Sequence, residues 1–159
     1  MTQPSPRDNL PALSPNPLGM RTRVEFASEK FPSYETIEEG VNYDTGVYGK
    51  RLAEYFGEKL PLQGFAVTGM RVEDWGWRLD IANPEKLPLS VGCSSYGNEE
   101  NPNRFLCLIE PSTPFIRKLF KRIDVRETVE RLATALDRIL TADPDIGAVR
   151  WWQEGEQAG

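Results

Sequence analysis

Two periods of hydrophobic positions run along the chain. In RTRVEFAS (21–28) Thr22, Val24 and Phe26 alternate with charged neighbours, which predicts a half-buried strand. WGWRLDIAN (75–83) alternates more cleanly: Trp75, Trp77, Leu79 and Ile81 are placed on one face, Gly76, Arg78 and Asp80 on the other. GFAVTGMRV (64–72) precedes it as a second strand, so Glu73 and Asp74 fall at the turn between them. LPLSVGCSS (87–95) follows with Leu89, Val91 and Cys93 on one side. Phe105 to Ile109 are apolar without a break, as in a central strand covered on both faces. IGAVRWW (146–152) reads as a final strand.

The other period is helical. Tyr48, Leu52, Tyr55, Phe56 and Leu60 follow one-face spacing over 45–60, with Asp44 or Thr45 as N-cap and Pro61 as the stop. The stripe Val125, Val129, Leu132, Ala133, Leu136, Ile139 and Leu140 predicts a long helix over 124–143. Asp124 with Glu127 resembles a capping box, and Asp143-Pro144 ends the helix. Phe115, Ile116, Leu119 and Phe120 place a short helical turn within 111–123. Strands joined by short turns pair antiparallel, and two amphipathic helices need an apolar surface. The expected fold is α+β in two layers: a mostly antiparallel sheet of about five to six strands, with two main helices packed on one face. Residues 21–152 form the single domain, residues 1–20 a disordered or extended proline-rich tail, and residues 153–159 a polar tail. The connection 29–44 reads as an acidic, solvated loop.

Composition narrows the chemistry. The chain has 159 residues, 39% of them hydrophobic, a net charge of −5 and no histidine. Histidine-based nucleophile systems and His-ligated zinc are thereby excluded. The acidic balance argues against nonspecific nucleic-acid binding. No segment has the length or apolarity of a signal peptide or membrane span, so a soluble cytoplasmic protein is expected. The two cysteines, Cys93 and Cys107, read as buried free thiols. Pairing Ser95 with Asn103 would put Cys93 opposite Phe105 and leave the thiols diagonal to each other.

Four constellations carry candidate chemistry. EDWGW places Glu73 and Asp74 beside Trp75 and Trp77. This is either an acid pair with an aromatic platform, or a turn in which Asp74 bonds backbone amides while the indoles pack inside; the second is preferred. FIRKLFKR offers Arg117, Lys118, Lys121 and Arg122 without an acid among them. On a helix this resembles a surface that meets anionic lipid or an anionic partner, or complements the acidic 35–44 loop, although a packed helix with a solvated basic face is the plainer reading. The loop 93–103 lacks the ligand spacing of a cation site, so no metal or cofactor is expected. Of adjacent Trp151 and Trp152, one is expected inside, and the other either exposed beside Arg150, as in binding hot spots, or laid over the sheet's outer face.

With EDWGW, LPLSVGC, FLCLIEPSTPFIRKLF and the ending ADPDIGAVRWW, residues 45–152 resemble a group of small bacterial proteins of no established activity. The resemblance implies a single bacterial domain and carries over no site. The leading expectation is a non-enzymatic protein-binding domain, immunity-, inhibitor- or adaptor-like, acting through an acidic, tryptophan-containing surface. Its contact candidates are Glu38, Glu39, Glu73, Asp74, Trp75, Trp151 and Trp152. The alternative is a carboxylate-based hydrolase or small-ligand enzyme built on EDWGW.

Overall fold

The computed structural model describes residues 20–31, 49–97 and 100–153. Most of the proline-rich tail, the acidic loop with Glu38 and Glu39, and residues 154–159 lie outside them. Among the described residues, eight strands and two α-helices follow in chain order. They are β1 (Arg23–Ser28), α1 (Lys50–Lys59), β2 (Val67–Glu73), β3 (Gly76–Ile81), β4 (Leu89–Ser95), β5 (Arg104–Glu110), β6 (Phe115–Lys118), β7 (Lys121–Asp124), α2 (Arg126–Ala142) and β8 (Ile146–Trp151). Six strands form one antiparallel sheet in the order β2-β3-β4-β5-β1-β8, and β6 pairs with β7 as a separate hairpin. The fold is the expected α+β architecture.

Period-two alternation sends Val24, Phe26, Leu79, Ile81, Val91, Cys93, Phe105, Cys107 and Ile109 to one face of the sheet. Leu52, Ala53 and Phe56 of α1, with Val129, Leu132, Ala133, Leu136 and Leu140 of α2, close over that face as one core. Phe26 stacks on Phe105 at 5.7 Å between ring centroids. Truncating a core leucine such as Leu132 to alanine costs about 2–5 kcal/mol in sites of this kind. Met20, placed with the tail by the sequence, is buried in this core.

One junction ties the two helices to the first strand's exit. Asp143, just past α2, accepts hydrogen bonds from Tyr55 Oη at 2.7 Å and Lys30 Nζ at 2.6 Å, and from the Asp145 backbone N–H at 2.9 Å. The Lys30 bond, opposed by burial and helped by Tyr55, lowers the Asp143 carboxyl to about 2. Burial and the same carboxylate push the Tyr55 hydroxyl well above its ordinary value.

The structure corrects several expectations. The short helix within 111–123 is the β6–β7 hairpin, in which Ile116 faces Ile123, Arg117 faces Arg122 and Lys118 faces Lys121. Its apolar pairs sit at spacings that suit a helix, yet only Ile116 and Ile123 pack against the core. Helix α1 begins at Lys50 with Gly49 at its N-cap, and Pro61 lies inside a 3-10 turn (Leu60–Gln63) that prolongs it. Helix α2 has Val125 at its N-cap and no capping box; the Asp124 carboxylate instead accepts the Arg126 backbone N–H at 2.9 Å.

The β4–β5 register also differs from expectation. Ser95 pairs with Phe105 and Cys93 stands directly opposite Cys107. A slip of two residues leaves every side chain on its own face, so alternation cannot choose between the two registers. Both thiols are free and buried. Burial, and then the neighbouring Cys93, push the Cys107 thiol well above the usual range. The thiolate is the reactive form. Both cysteines should therefore resist a thiol-specific disulfide reagent in the native protein and react together on denaturation. Rapid labelling of either one without unfolding would contradict this packing.

Candidate functional site

The sheet has a second face, and among the described residues neither helix covers it. Its outward positions follow from the pairing. Arg71 of β2 lies beside Arg78 of β3, then Gly92 of β4, Leu108 of β5 and Arg23 of β1. The next rows carry Asp80, Ser90 and Glu110 on one side, and Glu73, Ser94, Leu106, Glu25 and Arg150 on the other. It is a charged surface with a half-buried aliphatic strip at its middle.

Trp75 lies on this face, not with Trp77, Leu79 and Ile81 as alternation predicts. The strand β3 begins only at Gly76, so Trp75 belongs to the turn and escapes the alternation. A β-carbon on Gly76 would come within 2.2 Å of the Cys93 carbonyl oxygen, so the chain passes β4 at this point with no room for a side chain. The Trp75 ring then lies across Gly92, where an added β-carbon would stand 2.5 Å from the indole. Glycine in a strand interior marks such close approach. Trp75 remains 42% exposed, and the Arg78 guanidinium stands 6.0 Å from its ring centre. The indole is thus seated from below and open from above.

The two carboxylates of EDWGW have different surroundings. Glu73 lies 3.4 Å from Arg71 and 3.7 Å from Arg78. Asp74 is exposed in the turn. Further along this face, a groove of about 530 Å³ is lined by Arg71, Arg78, Asp80, Ser90 and Glu110 among others. Arg71 lies 3.7 Å from Asp80. Guanidinium groups therefore stand beside both Glu73 and Asp80.

Sequence reasoning missed the charge hub at the far end of the face. Glu25 is buried and accepts hydrogen bonds from Tyr96 Oη, from Arg150 Nε at 2.5 Å and from Arg104 at 3.4 Å. Burial alone would raise its pKa. The bonds from Tyr96 and Arg150 and the charges of Arg150 and Arg104 outweigh burial and lower it below 4.5. The only sequence signal was a glutamate between Val24 and Phe26, which reads as an ordinary solvated strand residue.

The terminal tryptophans are both buried, which corrects the expected exposed indole. Trp151 donates to Asp137 Oδ1 of α2 at 3.0 Å and lies under the Arg21 guanidinium at 4.9 Å. Trp152 is 9% exposed. Its backbone N–H bonds the Arg23 carbonyl at 2.9 Å, and the Arg23 guanidinium stands 5.6 Å from its ring. Trp77 faces the helix side, with Lys50 Nζ 5.8 Å from its ring. Of the tryptophans singled out, Trp75 alone is an exposed contact candidate. Glu38 and Glu39 lie outside the described residues. Arg117, Lys118, Lys121 and Arg122 are gathered on the hairpin, away from Trp75. Among the described residues no helix is long and apolar enough to cross a membrane.

The fold and this face define a two-layer α+β domain in which, among the described residues, one sheet surface is sealed by helices and the other is not. No protein-family model, curated protein sequence or solved structure matches the chain.

The Glu25 hub yields a pH test. Its folded-state pKa is depressed, so its contribution to stability is present above the unfolded value of about 4.5 and fades as pH falls through the folded value. Glu25→Gln should cost about 1–3 kcal/mol near neutral pH, because it weakens a buried acceptor shared by two guanidiniums. The gap in melting temperature between wild type and variant should narrow below pH 4.5. A gap that stays constant into acid would show that the hub's charge contributes nothing.

Proposed function

We propose that this chain is a non-enzymatic protein-binding domain, of the immunity-, inhibitor- or adaptor-like kind, which engages its partner with the open sheet face around Trp75. The observation that carries this reading is the seat of Trp75: a large ring fixed against Gly92 and presented to solvent. A rigid indole with arginines beside it is the commonest anchor of a protein interface, because it buries much area and loses little conformational freedom on binding. Arg71, Arg78, Glu73 and Asp80 supply a rim of mixed charge. Leu106 and Leu108 extend the apolar strip inward.

The hydrolase reading draws no support from this geometry. Glu73 is engaged by Arg71 and Arg78 while Asp74 is exposed in the turn, and among the described residues the carboxylates with displaced pKa values, Glu25, Asp124 and Asp143, are displaced downward. A general acid needs the opposite shift.

Trp75→Ala removes the anchor and leaves the core untouched. Its effect on melting temperature should be a few degrees, corresponding to about 1 kcal/mol. Affinity for the partner should fall about 30-fold or more, as for a hot-spot truncation. The measurement is affinity purification from the native cell with wild-type and Trp75→Ala baits, followed by titration of the recovered partner. Loss of a specific partner with the variant is expected. Recovery of the same partner with unchanged affinity would refute the assignment of this face. Trp152→Ala, by contrast, should destabilise the fold, since that ring is buried.

A further inference from the structure

The β6–β7 hairpin breaks local rules at every level. Its two-residue turn is Leu119-Phe120, and both residues have positive φ, at 51° and 68°. Such turns favour Asn-Gly, because side chains beyond Asn and Asp strain this backbone. The turn residues are also the most exposed large apolar side chains described: Leu119 at 83% and Phe120 at 101%. Behind them, like charges face each other across the strands, Lys118 against Lys121 and Arg117 against Arg122. Directly opposed like charges destabilise a hairpin. Strained backbone clusters at functional sites, and a segment that breaks several local rules at once marks a candidate for one.

The root of the hairpin is firmly held. Ile116 and Ile123 pack against the core, the Val125 N–H bonds the Pro114 carbonyl at 2.9 Å, and the Arg122 and Arg126 guanidiniums lie 3.7 Å and 5.1 Å from the Phe115 ring centre. The nearby acids are paired mainly with other cations: Asp124 with Arg126 at 2.5 Å, with a smaller charge contribution from Arg122, and Glu85 with Arg131 at 3.1 Å. Lys118 Nζ reaches the Lys86 carbonyl at 3.5 Å, so Lys86 adds a further cation to the same end. Among the described residues none of Arg117, Lys118, Lys121 and Arg122 lies within ion-pair distance of a carboxylate. The chain as a whole is at −5, so this end is a positive pole on a negative molecule.

From this we infer that the hairpin is a docking tip for an anionic phospholipid surface, with Leu119 and Phe120 entering the headgroup boundary and the four cations resting on lipid phosphates. The dimensions agree. Strand residues advance about 3.3 Å each, so Lys118 and Lys121 stand one step, and Arg117 and Arg122 two steps, behind the tip. Apolar side chains of interfacial segments reach about 5–10 Å into the headgroup and acyl boundary, which leaves a collar of cations at phosphate depth. An adjacent Leu and Phe turned outward suit a fluid surface, which needs no matching pocket. This inference does not depend on the Trp75 interface.

The test is sedimentation with phosphatidylcholine vesicles, with and without phosphatidylserine, over a salt series. Wild type should bind the anionic vesicles and lose binding as salt rises; the neutral vesicles should retain little. Leu119→Asn/Phe120→Gly puts the preferred residues into the turn, so it should melt at or above the wild-type temperature while losing vesicle binding. Lys118→Ala/Lys121→Ala should weaken binding about fivefold per cation. Failure of wild type to bind anionic vesicles would overturn the inference, as would full binding by the Asn-Gly variant. Leu119- and Phe120-dependent capture of an acidic protein, without vesicle binding, would overturn it in favour of a protein pocket.

Discussion

The burial of one sheet face beneath two helices is the constraint on which everything else in this molecule depends. Phe26, Val91, Phe105 and Ile109 present a continuous apolar surface, and the stripes of α1 and α2 have nowhere else to go. Once these surfaces meet, the six strands are fixed in which side they turn to solvent. Glu25, Arg78, Asp80, Arg71 and Glu73 are then carried to the opposite face together, although Glu25 of β1 lies far in sequence from the β2–β3 hairpin that carries the others. The charged face is a geometric consequence of the core.

Much of this was legible in the sequence. The long stripe from Val125 to Leu140 and the alternation at Val24 and Phe26 each admit one physical reading, and the apolar run of β5 gave a central strand but not the cover expected on both its faces, since Leu106 and Leu108 are only half-buried. What was illegible had specific causes. The β4–β5 register was ambiguous because a two-residue slip conserves faces. Trp75 left its predicted face because the turn extends to it and β3 starts at Gly76. The segment 115–124 mimicked a helix because its two apolar pairs lie four residues apart, while its actual symmetry, RK-LF-KR, reads the same way on either side of the turn. The Glu25 hub was invisible because its partners Tyr96, Arg104 and Arg150 are brought together only by the order of strands in the sheet.

The open face and the hairpin answer to different rules from the core. On the face, a ring is stabilised by a glycine beneath it and left without a cover. On the hairpin, strain and like-charge opposition are maintained at the end of a well-anchored root. Neither contributes to the stability of the fold in proportion to its size. Both concentrate the residue types that recognise other molecules: an indole with arginines in one case, an apolar tip with cations in the other.

The sidedness of the sheet is tested most directly by oxidative footprinting of the four tryptophans, read residue by residue by mass spectrometry. Trp75 should be modified well before Trp151 and Trp152, with protection of the latter pair lost only on unfolding. Oxidation of Trp151 in the native protein at the rate of Trp75 would mean that the face described as sealed is open.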